Sequence, residues 1–514
     1  MSLVASFLDH HFASNPVDAS FVGIEGFDRV LPRADASAGA DEKRALLQFQ
    51  ARLPAKPVDM DDRILAGEIA LALCMLETRP RRHNPAWYTG EVLFGLVSLL
   101  LPQSEPVNID AIEARLLAVP DFLTDGLQRL KGQGAPVSAT LRMRREAEAA
   151  ASFMDEALRT HPAWHERLVK PAQAAATALR AFARALEDHP DAEFAAGPEM
   201  IDLILRRVHA LPFGADEALA RARTAFDTIS VALEEAASRL DPDLGWREQI
   251  ARLSTQRVAE GALQQAFQHH HEAALAGAHH LMTPAVETPL QFPALAPWFS
   301  KLASQSYFLS YRCPPAMRPQ ARSVYWMPPK GDMELATLKS VHAIHHGSIG
   351  HHTQNARARV AMSRFGRMAG TDCAMGIAFL SAGTMVEGWS CYAQGLAREI
   401  PGFHTPAEEL LLLSFERRNA ASVLVDLNIH LKRWSLSEAA RFYREDAGFA
   451  PERVDGEIAR NAMFPGSRAM YHLGVAEIKA ARMRWRGDLK GFHDGLISYG
   501  HVPVRLALEE MGAA

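Results

Sequence analysis

Apolar residues recur at i, i+3, i+4 and i+7 through nearly every segment of this chain, in runs rich in Ala, Leu, Arg and Glu. Alternating β-branched runs are almost absent. That pattern predicts an all-α fold. Breaks marked by proline and glycine fall near Pro54 to Pro57, Pro102 to Pro106, Gly132 to Pro136, His189 to Pro198 and Pro212 to Gly214. They divide the first half into long helices. The stretch TPAVETPLQFPALAP, 283–297, carries four prolines in fifteen residues and separates an N-terminal helical lobe, 1–285, from a C-terminal lobe, 286–514. A cleft is expected between the two. ARSVYWMPP, 321–329, is an aromatic and β-branched run closed by two prolines, which fits an edge strand and a small β element near 322–327.

After Gly331 and Asp332, a candidate N-cap, residues 333–346 are expected to form a helix with Leu335, Leu338, His342 and His345 on one face. Thr405 and Glu408, with Pro406 between them, predict a capping box opening a helix that runs to Trp434. Ser435 and Glu438 repeat the pattern.

Composition narrows the function. The chain has 514 residues, 48% of them apolar and 22% charged, enough for a large core and two or three structural units. With 55 Lys and Arg against 60 Asp and Glu, the formal charge is −5, and no basic tract offers a footprint for nucleic acid. The start, MSLVASFLDHHFASNP, lacks a basic n-region, and the most apolar run, VLFGLVSLLL at 92–101, is about half the ~20 residues a membrane span needs. A cytoplasmic protein without a membrane partner is expected. Cys74, Cys313, Cys373 and Cys391 show no CxxC spacing and are expected as core residues. The expected partner is a small-molecule or peptide substrate, and a homo-oligomer is left open.

The candidate chemistry lies in HAIHHGSIGHHTQ, 342–354. Divalent metals take imidazole and carboxylate ligands, and a helix supplies two when they lie one turn apart. The usual form is HExxH. Here His345 is followed by His346, and the next histidines are His351 and His352. On a straight helix His352 returns to within about 20° of His345, two turns away. If Ile349 and Gly350 instead bulge out, His351 takes the place normally held at i+4. The bulge is favoured, because glycine tolerates the backbone and helix distortions cluster at functional sites. Glu387 is the candidate third ligand: from Ala382 to Ala397 it is the only ionised group expected at neutral pH, and a buried carboxylate is costly unless paired or bound to metal. The competing reading is a solvated histidine surface. A second cluster, QHHHEAALAGAHH at 268–280, is read as mostly exposed, and the acidic VDMDDR at 58–63 as a helix cap.

With these motifs in view, the chain resembles the large, mostly bacterial group known as domain of unknown function 885, regarded as zinc metallopeptidase-like proteins of largely helical fold. The resemblance runs nearly end to end. HHFASNPVDASFVGIEGFDRVLP, 10–32, looks like its opening pattern, and its H-E-x-x-P-G-H-H-x-Q motif lies over His345 to Gln354. E-G-W-x-x-Y matches Glu387, Gly388, Trp389 and Tyr392. DLNIHLKRW is similar to its D-x-G-x-H-x-x-x-W, giving Asp426, His430 and Trp434. RNAMFPGSRAMYHLG corresponds to a further motif through Arg460, Pro465, Gly466, Tyr471 and Gly474, and FHDGLISYGHVPV, 492–504, to its closing pattern. The resemblance implies a metal held by His345, by His351 or His352, and by Glu387, with Tyr471 and His430 stabilising an oxyanion. Asp426, four residues before His430, is placed to orient it.

One departure bears on activity. In a metallopeptidase the Glu after the first His accepts a proton from the attacking water, and here that position is His346. The family's proline is Ile349, and its later glutamine is Ser467. An imidazole of ordinary pKa, about 6.5, is still a base near neutrality, or His346 joins the ligands and builds a nitrogen-rich site. Three functions are open to such a chain. The first is a metal-dependent hydrolase acting on an amide, a peptide or another small polar substrate, with Arg460 gripping a substrate carboxylate. The second is a catalytically inactive relative that binds a ligand or peptide. The third is a metal-dependent lyase or oxidative enzyme. The expected cofactor is a divalent metal, zinc first, with iron, nickel or copper as alternatives.

Overall fold

The computed structural model describes residues 2–101, 106–305, 311–318, 322–327 and 333–514. Helices make up nearly all of its regular structure, and each break predicted within the described residues falls between two of them. Residues 102–105 of the second break lie outside. Helix Pro85–Leu100 is buried along its whole length, so the apolar run that opens at Val92 packs in protein interior. Around it Ile109–Leu130, Val137–Asp155 and Val169–Ala185 close one core, joined by Trp298 and Phe299. A second core mixes the two ends of the chain: Phe7, Phe12 and Ile64 pack with Phe365, Trp389 and Phe492. In a third, the long helices Ala215–Leu240 and Pro406–His430 lie along one another, burying Leu219 and Phe226 against Val423 and Leu424.

The small β element is a three-stranded sheet, and its arrangement corrects the edge assignment. Ser323–Tyr325 is the central strand, parallel to Leu290–Gln291 and antiparallel to Tyr311–Arg312. The prolines that suggested an edge, Pro328 and Pro329, come after the strand and lie outside the described residues, so they remove no ladder hydrogen bond from it.

Both capping boxes form: Thr405 Oγ1 accepts from Glu408 N and Ser435 Oγ from Glu438 N, with each glutamate reaching back. The first helix stops at His430, before the expected Trp434, because Lys432 takes a left-handed φ of 58° that an α-helix excludes. Asp59 caps Met60–Thr78 through the amides of Asp61 and Asp62, as expected of VDMDDR. Gly331 and Asp332 lie outside the described residues. The segment after them is α-helical only over Leu335–Thr337 and then widens into π turns over Leu338–His346, a departure from the regular helix expected there.

Candidate metal centre

The histidine segment is bent by its glycines. Gly347 (φ −95°, ψ −149°) and Gly350 (φ −82°, ψ −129°) leave helical geometry, and Ser348–His352 forms a π turn. A Cβ on Gly350 would sit 2.1 Å from the His345 carbonyl oxygen, so no larger residue fits. Hydrogen bonds fasten the bend. Ser348 Oγ donates to Ala343 O at 2.7 Å, Thr353 Oγ1 to Ser348 O at 2.6 Å and Trp389 Nε1 to Ile349 O at 2.9 Å. Ser348 N donates to His271 Nδ1 at 3.0 Å. His271 is therefore buried and structural, although the cluster around it was expected to be mostly exposed.

This distortion selects among the histidines. His345 and His351 turn their Nε2 atoms toward Glu387 Oε2, at 3.6 and 3.8 Å. His346 joins them, and single ring nitrogens of His345, His346 and His351 all lie within 4.8 Å of one another. His352 points elsewhere: its Nε2 pairs with Thr288 O at 2.9 Å and its ring packs 5.5 Å from His271. Of the two histidines left open as the second imidazole ligand, the geometry brings His351 to the carboxylate and leaves His352 out.

Helix Gly383–Leu396 supplies more than its acid. One turn beyond Glu387, Ser390 Oγ pairs with His351 Nδ1 at 2.8 Å, and Cys391 Sγ lies 4.0 Å from His345 Nδ1. One helix face thus meets both edges of the two imidazoles. Gln354 Oε1 also reaches His351 Nδ1, at 3.3 Å, while its Nε2 donates to Met385 O. The helix crosses Ala469–Arg484 backbone to backbone, because a Cβ on Gly388 would lie 2.7 Å from Gly474 Cα and one on Gly474 2.2 Å from Thr384 O. That close crossing lets Tyr471 hydrogen-bond Glu387.

Burial alone would raise the Glu387 pKa, yet His345, His351 and Tyr471 hold it well below the carboxylate range. Burial also works against a charged His345, but Cys391 and Glu387 hold its pKa above the ordinary imidazole value. His351 is pushed down to about 4 by burial and by His345. His346 falls well below 6.5 for the same reason, with His345, His351 and His342 all opposing its charge.

A divalent cation fits this donor set. Glu387 Oε2 is buried without a hydrogen-bond partner, an orphaned anionic oxygen facing two imidazole nitrogens. The separations of 3.6 and 3.8 Å are too long for hydrogen bonds. They are close to the edge of about 3.4 Å that bonds of 2.0–2.2 Å span in a tetrahedral zinc site. Ser390 and Cys391 would be the outer partners that orient the two imidazoles.

The remaining candidates divide. Arg460, on helix Pro451–Met463, lines the cavity of about 1580 Å³ in front of the centre, as do Glu387, His346 and Tyr471. His430 does not line it. It is wholly buried, accepts from Ala196 N at 3.2 Å on Nδ1, and donates from Nε2 to Asn461 O at 2.8 Å. With both nitrogens spent on backbone, it holds the fold and has no donor left for an oxyanion. Asp426, 3.7 Å away, instead accepts from the amides of Gly466, Arg468 and Ala469 and caps the helix that carries Tyr471. Asp426→Ala leaves two buried N–H groups and one part-buried one unpaired and is expected to cost about 3 kcal/mol, read as a lowered denaturation midpoint; an unchanged midpoint would refute the capping role.

Sequence patterns did not point to Ser390, Cys391 or Arg468. The first two stand three and four residues after Glu387, a helical spacing that was available as a signal. Arg468 pairs with Glu457 and lies with its Cζ 5.0 Å from the Tyr471 ring centroid.

Comparison with known proteins sets this geometry in a family. No curated protein matches the chain. Solved structures that share its fold include a candidate lipoprotein of unknown function from Shewanella oneidensis, with a TM-score of 0.75 and 17% identity, and a candidate lipoprotein from Colwellia psychrerythraea, with a TM-score of 0.75 and 15% identity. Each alignment covers 99% of this chain and 98% of the other. The family described as bacterial protein of unknown function DUF885 matches residues 16–511, and the chain belongs to it.

Proposed function

We propose that this protein is a metal-dependent hydrolase of amide bonds, with a histidine in the position usually held by an acidic base. The observation that carries the reading is the convergence of His345 Nε2 and His351 Nε2 on the unpartnered Oε2 of Glu387. Zinc bound there would serve as a Lewis acid toward an amide carbonyl and increase the acidity of water. Tyr471 is placed to donate its hydroxyl to the oxygen that gains charge, since it already reaches Glu387. His346 is neutral at pH 7 and presents an imidazole lone pair as proton acceptor. Arg460 lines the cavity where a substrate carboxylate would lie.

The test is a metal analysis of the purified protein, then hydrolysis of short peptides and N-acyl amino acids. About one zinc per chain is expected, with hydrolysis abolished by a chelator and restored by zinc. Hydrolysis indifferent to chelation would refute the reading.

One observation favours a second reading. The closeness of His346 to the other two imidazoles suits a fourth ligand, and a three-histidine, one-carboxylate set would suit iron or copper as well as zinc. Activity restored by iron and not by zinc would select it. On location, no helix among the described residues is long and apolar enough to cross a membrane. The fold neighbours are described as candidate lipoproteins, which fits poorly with the cytoplasmic placement expected from the sequence. Cell fractionation separates the two.

A further inference from the structure

The cavity in front of the centre has a charge opposite to that of the chain. The described residues lining it include ten arginines, no lysine and six carboxylates, in a protein of formal charge −5. The excess of arginines over carboxylates on this concave wall favours anionic ligands. Several of these guanidinium groups are committed within the protein: Arg142 pairs with Glu146 at 2.6 Å, Arg468 pairs with Glu457, and Arg79 donates to the carbonyl of Phe194.

Arg418 is different. It stands on Pro406–His430 beside Asn419, whose Nδ2 donates to Cys391 Sγ at 3.4 Å, and Cys391 in turn lies next to His345. Both Arg418 and Asn419 line the cavity. The Arg418 guanidinium is packed between Phe415 and Phe449, with centroids at 5.4 and 5.8 Å, and these ring contacts are its only specific contacts among the described residues. Burial opposes its charge first, Arg453, itself 3.5 Å from Glu457, and Arg417 add to that, and Glu334 favours it. A half-buried cation held by aromatic rings and surrounded mainly by like charge is costly unless an anion meets it. A planar guanidinium is also the group that matches carboxylate or phosphate oxygens two at a time.

We infer that Arg418, assisted by Arg453, is the docking point for an anionic group of the substrate, a carboxylate or a phosphate, so that the centre receives acidic amides. The inference deepens the hydrolase reading and rests on it for the fate of the ligand. Binding at Arg418 needs no metal, so the two fail separately.

The experiment is calorimetric titration of the chelator-treated protein with triglutamate, trilysine and inorganic phosphate, repeated with Arg418→Gln and Arg453→Gln. Triglutamate is expected to bind at least tenfold more tightly than trilysine and to weaken as salt is raised. Arg418→Gln should cost about tenfold or more, and Arg453→Gln, whose side chain is 58% exposed, about threefold. Arg418-dependent binding of phosphate in place of triglutamate would support the anion site and assign it to phosphate-bearing ligands. The inference falls if neither anion binds, or if Arg418→Gln keeps its thermal midpoint and binds both as the unaltered chain does. Because Arg453 is exposed, its variant reads the same site should Arg418→Gln fail to fold. Unchanged anion binding there, with trilysine bound equally well, would also overturn the proposal.

Discussion

Glu387→Ala is expected to leave the purified protein with less than a tenth of the zinc held by the unaltered chain. The two imidazoles that remain, His345 and His351, face the space the carboxylate leaves, and no other acid among the described residues reaches the cluster of ring nitrogens. Loss of an outer partner of a metal ligand costs about 10- to 100-fold in affinity, and loss of a ligand itself should exceed that. Charge adds to the effect. In the proposed centre Glu387 would be the anion that balances the cation, and without it the buried histidines would meet a divalent charge unaided. Glu387→Gln separates charge from volume, since the amide fills the same space and still weakens binding. Glu287→Ala removes an exposed carboxylate paired with Arg357 and should leave zinc content unchanged. Emission analysis after dialysis against limiting zinc reads all three. Full zinc occupancy in Glu387→Ala would remove the basis of the proposed centre.

Glu387 was legible because its surroundings are so poor in charge. An ionised group alone in sixteen residues of apolar and small side chains has few fates open to it, and the helix that carries it is buried over most of its length. The bend at Gly347 and Gly350 was legible in kind, since two glycines stand between the histidine pairs, yet its consequence was not. Whether His351 or His352 turns inward depends on what captures the other, and the captor of His352 is a carbonyl 64 residues away, at Thr288. His430 shows the opposite failure. Its spacing from Asp426 correctly places both on one face of a helix, but that face is buried against the backbone of Ala196 and Asn461. Periodicity assigns a face and is silent on what covers it. The edge assignment of Ser323–Tyr325 failed for a related reason: a strand's neighbours come from distant segments, and prolines beyond its end constrain only the chain after it. Capping boxes were read without error because every atom they use lies within four residues.

His346→Glu is expected to raise amide hydrolysis by about 10² to 10⁴, the usual worth of a well-placed general base. The residue is next to His345 and lines the cavity, so a carboxylate there faces the same substrate volume as the imidazole. His346 is a poor acceptor as it stands. Burial and the neighbouring His345, His351 and His342 all oppose its protonation, which holds its pKa far below neutrality. Burial would oppose the charge of a glutamate there as it opposes the imidazolium, while a protonated His345 beside it would favour the carboxylate. Zinc content should be retained, because His345, His351 and Glu387 are untouched. Steady-state hydrolysis of one peptide series by both proteins, each with its zinc measured, distinguishes the alternatives. A gain of activity at constant zinc identifies the native protein as a centre that has exchanged its strong base for a weak one. Loss of both activity and metal in the variant would instead make His346 a ligand, and the chemistry of the site would then have to be sought outside hydrolysis.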